Sequence, residues 1–411
     1  MKYVVLIGDG MSDYPLKELN NQTPLEVADK PNIDKIASKG KVGQLLTIPK
    51  KLEPGSDVAN MSIFGYNPEK YYTGRGPLEA GSMGIKTDDD EVIFRCNLIT
   101  EDNGILADFN AGHISSKEAS ILIDSLNKEF SMENNHYIKE ENNGKFYSGI
   151  SYRHIFVKKG IELASFPTTP PHDIVGENIE DYIKWNEKSP LKIKNIMLES
   201  KEILKDHPVN QKRLANGKNP ANMIWLWGQG IRPNMPKFKD IYGLSGSVIT
   251  GVDLLKGIGV FAGLNNIDVP GATGYFDTDY KAKGKYAADA LENNDFLFVH
   301  VEAPDEAGHA GDIKEKIKAI EKIDKYVLGK IMDEIGSYQD YKIAILPDHA
   351  TPIDVRTHTR DPIPLAIYSS LKRDLADDVE IYTEKSVVNG SLGTDKAYNL
   401  VKRLINNWIF L

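Results

Sequence analysis

Phe296-Leu297-Phe298-Val299-His300-Val301-Glu302-Ala303-Pro304-Asp305-Glu306-Ala307-Gly308-His309 runs apolar for six residues and then delivers an acid and a histidine four residues apart. An apolar run without polar alternation suits a central strand of a parallel sheet covered on both faces. Residues 3–7, 223–227 and 343–346 read the same way, and three of the four runs end at an acid or at a loop that carries one: Asp9, Asp305 and Asp348. Between them lie helical patterns, at 196–204, 286–291 and the lysine-rich 313–332. Strand–helix alternation of this kind predicts an α/β domain with a mostly parallel central sheet, whose ligands sit outside the carboxyl ends of its strands.

Residues 88–190 read differently, with strand-like segments at 91–99 and 152–158, a helix-like 115–126 and long polar loops such as 132–145. They predict a smaller α+β domain inserted into the core, giving a first core part at 1–87, the insert at 88–190 and a second core part at 191–411.

Bulk properties exclude several classes. The chain has 411 residues, 41% hydrophobic and 27% charged, with a net charge of −9. It therefore lacks the basic footprint expected of a nucleic-acid or anionic-membrane binder. An acidic protein that handles an anion must concentrate positive charge locally, through metals and a few basic side chains. Cys96 is the one cysteine, which rules out an internal disulfide framework. The first apolar stretch is too short for a signal segment or a membrane span, so the expected setting is cytoplasmic. Oligomeric state is open, a homo-oligomer included.

Asp305 and His309, with His358 from a following loop, form a donor set suited to a divalent transition metal with an open position. Asp348 and His349 would serve a neighbouring ion, together with Asp9 and the hydroxyl of Ser56. Two ions about 4 Å apart hold the attacking and leaving oxygens of an in-line displacement. Ser56 begins a helix-like segment, where a serine is commonly an N-cap; metals would instead make it a nucleophile. Asn60, one turn on, is placed to donate to phosphoryl oxygens. His300 reads as a core or supporting histidine, and His136 and His207 as surface residues. Gly8-Asp9-Gly10 lacks the third glycine of a dinucleotide fingerprint, and no glycine-lysine phosphate loop occurs.

Longer segments carry a resemblance: Val5-Leu6-Ile7-Gly8-Asp9-Gly10-Met11, Pro54-Gly55-Ser56-Asp57-Val58-Ala59-Asn60-Met61-Ser62, Gly74-Arg75-Gly76-Pro77-Leu78-Glu79-Ala80, Phe94-Arg95-Cys96-Asn97-Leu98, Ala111-Gly112-His113, Trp225-Leu226-Trp227-Gly228-Gln229-Gly230, Val299 through His309, and Pro347-Asp348-His349. On these the chain resembles the cofactor-independent phosphoglycerate mutases of archaeal type, within the alkaline-phosphatase superfamily.

The resemblance implies an alkaline-phosphatase-like core with a cap that closes over substrate. It implies two divalent ions, Mn²⁺ before Zn²⁺, Co²⁺ or Mg²⁺, on the two donor sets above, and no 2,3-bisphosphoglycerate. It also implies phosphoserine at Ser56 during interconversion of 3- and 2-phosphoglycerate. His113, Arg153, Arg232 and Lys283 match best as substrate contacts, Lys283 also as a catalytic group. Rival readings are a phosphatase or phosphotransferase acting on another small hydroxylated metabolite, and a catalytically silent metal-binding protein.

Overall fold

Strand β1 (Lys2–Gly8) is apolar nearly throughout because both of its edges and faces are covered. The computed structural model describes residues 1–130, 144–183, 191–371 and 376–406; His136 and most of the polar stretch 132–145 lie outside the described residues. The remaining strands are β2 (Lys41–Leu46), β3 (Glu91–Asp102), β4 (Ile105–Asp108), β5 (Gly144–Tyr147), β6 (Arg153–Lys159), β7 (Met223–Gly230), β8 (Gly246–Ile249), β9 (Asn265–Asn266), β10 (Phe296–Val301), β11 (Tyr341–Leu346), β12 (Ile363–Ser369) and β13 (Thr394–Lys396).

The chain divides into two compact units, Met1–Tyr72 with Asn234–Leu411, and Thr73–Pro233. The first is built on an eight-stranded sheet in the order β13-β2-β12-β11-β1-β10-β8-β9. Its centre is parallel, as the unbroken apolar runs predict; only β12 runs antiparallel to its neighbours. Register places Gly8 beside Val301 and Ile7 beside Leu346, so three adjacent strands end together. Asp9, Asp305 and Asp348 follow those three ends. Helices cover the sheet and bury one continuous apolar cluster, from Val4 and Leu6 to Ile331 and Ile345. The lysine-rich stretch is helical as expected, but Ile323–Leu328 within it winds as a π-helix between α-helices Ile313–Lys322 and Gly329–Ile335.

The second unit carries an antiparallel sheet of β4, β3, β6 and β5, with β7 paired to β3. Its own core gathers Phe94, Leu122, Phe146, Phe156 and Trp225. Two expectations are corrected here. The run 223–227 is not a strand of the parallel core but β7, antiparallel to β3; a strand buried on both faces looks apolar in either kind of sheet. The unit is also larger than the expected insert 88–190, because β7 and the helix Arg75–Ser82 that packs on β3 and β7 belong to it.

One buried ion pair fixes the loop after β11. Lys316 Nζ bonds Asp13 Oδ2 at 2.6 Å, both side chains being fully enclosed, and also bonds the Ser12 and Thr351 carbonyls. The Asp13 carboxylate in turn accepts the Ile353 N–H. Lys316→Met strands Asp13 in the interior and is expected to lower unfolding free energy by about 3–5 kcal/mol. Urea denaturation reads this directly, and an unchanged midpoint would contradict it. Among the described residues no helix is long and apolar enough to cross a membrane.

Candidate active site

Asp9 caps β1 with its own N–H bonded to the Val301 carbonyl, which ties the ends of β1 and β10 together. Gly10 follows with φ of 60°, and a Cβ there would lie 2.7 Å from the Asp305 Cα. The position demands glycine twice over, for its left-handed backbone and for the close approach of the Asp305 helix. The Gly10 N–H is given to Asp348 Oδ1, linking the third strand end.

Asp305 and His309 lie one turn apart on helix Ala303–Ala310, a spacing that sets both on one face. His309 Nε2 is 3.2 Å from Asp305 Oδ2 and 3.0 Å from His358 Nε2; His358 Nε2 is 3.6 Å from Asp305 Oδ1. His309 Nδ1 donates to the Arg356 carbonyl, so Nε2 is the atom turned to this point. These three residues form a group able to hold a metal.

His349 supplies the second point. The Thr351 hydroxyl donates its one proton to Asp305 Oδ1, so at their 3.2 Å contact His349 Nδ1 is the donor and Thr351 Oγ1 the acceptor. His349 Nε2 is then a lone pair, 3.1 Å from Ser56 Oγ and 3.4 Å from both Asp9 Oδ1 and Asp348 Oδ2. Burial drives the His349 pKa down to about 4, so the ring is neutral. A lone pair faced by two carboxylate oxygens is repulsive unless a proton or a cation lies between them, and Asp9 Oδ1 is buried with no hydrogen-bond partner. The donors therefore fit a second cation.

Ser56 is the first residue of helix Ser56–Ile63 and is half-buried. Asn60 donates to the Ser56 carbonyl at 2.9 Å and to Asp348 Oδ2 at 2.7 Å. Its amide protons, expected to meet phosphoryl oxygens, are engaged in holding the serine and the acid in register.

Burial raises the Asp9 pKa well above the usual carboxylate value, and the charges of Asp348 and Glu302 raise it further. Glu302 is pushed up to about 8, by burial first and then by Asp305. Burial works against ionised Asp305 too, but its bonds to His309 and His358 outweigh that and hold it well below the usual range. His300, which burial holds at about 3, is neutral and sits 3.0 Å from Asp9 Oδ2, with Thr250 Oγ1 on its other nitrogen. It is buried in the core, one of the two places expected for it. Glu302 and Thr351 escaped the sequence reading, since single polar residues in loops carry no periodic signal; Glu302 was visible only as the acid between β10 and Asp305.

The predicted substrate contacts fall in both units. Lys283 is fully buried and its Nζ donates to the His300 carbonyl; it is not presented to a substrate, because helix Tyr280–Ala290 packs it against β10. In the second unit His113 is exposed and ends three successive residues with φ of 50°, 61° and 50°. Asp108, Asn110 and Arg213 pin that strained turn, and strain held in place by its surroundings marks functional sites. Arg153 is half-buried at the start of β6, and Arg232 is exposed beyond β7. His207, expected at the surface, is half-buried and caps helix Pro208–Ala215. Arg95, quoted above only within a matching segment, is buried, paired with Glu79 at 3.0 Å and stacked 4.7 Å over Trp227, with Nε unpartnered.

Residues 37–210 match the family model described as 2,3-bisphosphoglycerate-independent phosphoglycerate mutase. The chain is 55% identical over 406 residues to 2,3-bisphosphoglycerate-independent phosphoglycerate mutase 2 of Methanothermobacter thermautotrophicus, covering 99% of this chain and 98% of that one. The mutase of Methanosarcina acetivorans is 52% identical over 406 residues, covering 98% and 100%. The chain belongs to the 2,3-bisphosphoglycerate-independent phosphoglycerate mutases. It is an isomerase, an intramolecular phosphotransferase. Among solved structures, a Pyrococcus horikoshii protein matches with TM-score 0.81 and 30% identity over 100% and 98% of the two chains. A cofactor-independent phosphoglycerate mutase from Thermoplasma acidophilum matches with TM-score 0.65 and 27% identity over 100% of both.

Asp305 holds His309 protonated up to about pH 9 in the metal-free chain, although burial opposes the charge. A metal must displace that proton, so binding at pH 7 is expected to release protons and to tighten as pH rises toward 9. Calorimetry of Mn²⁺ binding in buffers of different ionisation enthalpy measures the release; binding without it would contradict the donor set.

Proposed function

We propose that Ser56 carries the phosphoryl group between the two hydroxyls of glycerate, interconverting 3- and 2-phosphoglycerate. What carries the reading is the convergence of Asp9, Asp348, His349 and Ser56 around one point, beside Asp305, His309 and His358 around another. Asp305, His309 and His358 would hold one divalent ion; Asp9, Ser56, Asp348 and His349 would hold the other, Mn²⁺ being the first choice and Zn²⁺, Co²⁺ and Mg²⁺ the alternatives. When bound, such ions supply the positive charge that ionises a hydroxyl near neutral pH and neutralises phosphoryl oxygens.

The protein's own atoms do the rest. Ser56 Oγ forms the new P–O bond as the bond to the substrate C3 oxygen breaks. The proton lost by the serine balances the one gained by that oxygen, so no external acid or base is consumed. The C2 hydroxyl then attacks phosphoserine and regenerates Ser56. Asn60 keeps Ser56 and Asp348 in register through both halves, and the positive end of helix Ser56–Ile63 favours the added phosphate charge. Glu302, His300 and Lys283 set the field around Asp9.

Glycerate must stay bound while it reorients, since water would otherwise hydrolyse phosphoserine. We assign that retention to the second unit as a substrate cap, with His113, Arg153 and Arg232 as its substrate contacts. A cytoplasmic enzyme acting on a small molecule is part of the same reading.

Metal-stripped protein is incubated with 3-phosphoglycerate, with and without Mn²⁺, and followed by phosphorus NMR. Metal-dependent 2-phosphoglycerate without free phosphate is the expected result. Free phosphate alone would replace the mutase by a phosphatase. Ser56→Ala is expected to lower turnover by about 10³-fold or more with circular dichroism unchanged, and retained turnover would overturn the phosphoserine route.

A further inference from the structure

On the first unit, apart from the site described, lies a groove of about 940 Å³. Lys35 and Lys39 line it from helix Pro31–Ser38 and its C-cap, Lys281 and Lys285 from helix Tyr280–Ala290, and Lys325 and Lys330 from the π-helix and the helix after it. Asp333 is the one acid among the lining residues. The six lysines form no ion pair among the described residues. Their floor is apolar and aromatic: Ile36 and Ile343 are buried, and Tyr326, Tyr341 and Tyr368 are half-buried.

Three features set this patch apart from scattered solvated lysines. The chain is acidic overall, at −9, so a cluster of unneutralised cations is a local concentration against the bulk charge. Lys35 with Lys39 and Lys281 with Lys285 are like charges at helical i,i+4 spacing, an arrangement that costs helix stability. The wall is also built by an uncommon element. Lys325 lies within π-helix Ile323–Leu328 and Lys330 in the helix that follows it; π segments are concentrated at functional sites. Gly284 lets the neighbouring helix press against that turn, since a Cβ there would lie 2.1 Å from the Tyr326 carbonyl oxygen.

The groove is distinct from the strand-end centre. Tyr341 begins β11, whose far end precedes Asp348, and five rises along a strand span about 17 Å. No lining residue belongs to the metal-ligand or serine set.

We propose that this groove binds a small polyanion with a flat or apolar body, of the class of a nucleoside polyphosphate. The lysines pair with its phosphates and the tyrosine-lined floor takes its base. Lys281 and Lys325 lie over the Tyr326 ring, at 5.2 and 5.4 Å from its centre, so two of the cations are gathered at one point of the groove. The volume falls within the range that holds a ligand of this size.

The test titrates the Mn²⁺-loaded enzyme, its active site saturated with 3-phosphoglycerate, with magnesium ATP, using magnesium tripolyphosphate and adenosine as comparators. Saturable ATP binding that weakens with added salt is expected. Combining Lys35→Gln, Lys281→Gln, Lys285→Gln and Lys325→Gln should weaken it by about tenfold or more, with mutase turnover unchanged. If that combination does not fold, the pair Lys281→Gln and Lys330→Gln should weaken it in the same direction. No saturable binding, or binding indifferent to the lysines, would overturn the site. Tripolyphosphate binding as tightly as ATP would overturn the nucleoside assignment.

Discussion

Negative charge buried at the ends of three adjacent parallel strands is the constraint on which this end of the first unit depends. Asp9, Asp305 and Asp348 are buried at the ends of three adjacent parallel strands, with Glu302 beside them. Lys283, a buried ammonium, spends a hydrogen bond on a backbone carbonyl, His300 and His349 are neutral, and His309 is held protonated by Asp305. Isolated carboxylates in such a place are costly enough to stay protonated, as the raised pKa values of Asp9 and Glu302 show. Divalent cations on the two donor sets would resolve the conflict. Much of the surrounding architecture keeps the cluster from relaxing. Gly10 brings the Asp305 helix close, Thr351 orients both Asp305 and His349, and the Lys316–Asp13 pair anchors the Thr351 loop.

Placing the hydroxyl of Ser56, the proposed nucleophile, is a separate problem, solved by the helix that it begins. Asn60 spans from that helix to Asp348, so serine and acid move together. The same residue types with a looser tie would suit hydrolysis as well as transfer. Mutase behaviour therefore rests on positioning and on exclusion of water as much as on the donors themselves.

Much of this was legible in the amino-acid order because it rests on strong local signals. Unbroken apolar runs ending at Asp9, Asp305 and Asp348 announce buried parallel strands with acids at their carboxyl ends, and that is how β1, β10 and β11 lie. The helical spacing of Asp305 and His309 is equally local. The sheet to which β7 belongs was not legible, since burial on both faces erases the alternation that marks an antiparallel strand. The burial of Lys283 was also hidden, because a lysine's place on a helix face depends on what packs there. Asn60 was placed near the phosphoryl group, but its two bonds join residues 288 positions apart or lie within a helix turn, and only the fold reveals them. The lysine groove joins helix Pro31–Ser38 to helices between residues 280 and 335, and its like-charged pairs read in sequence as an ordinary solvated face.

Cations at two points are the central requirement of the proposed chemistry. Crystals of the enzyme grown with Mn²⁺, with anomalous diffraction recorded at the manganese edge, test this most directly. Two peaks are predicted, one in contact with Asp305, His309 and His358, the other with Asp9, Ser56, Asp348 and His349. Well-ordered side chains at both points with no anomalous peak, or manganese bound only elsewhere, would contradict it.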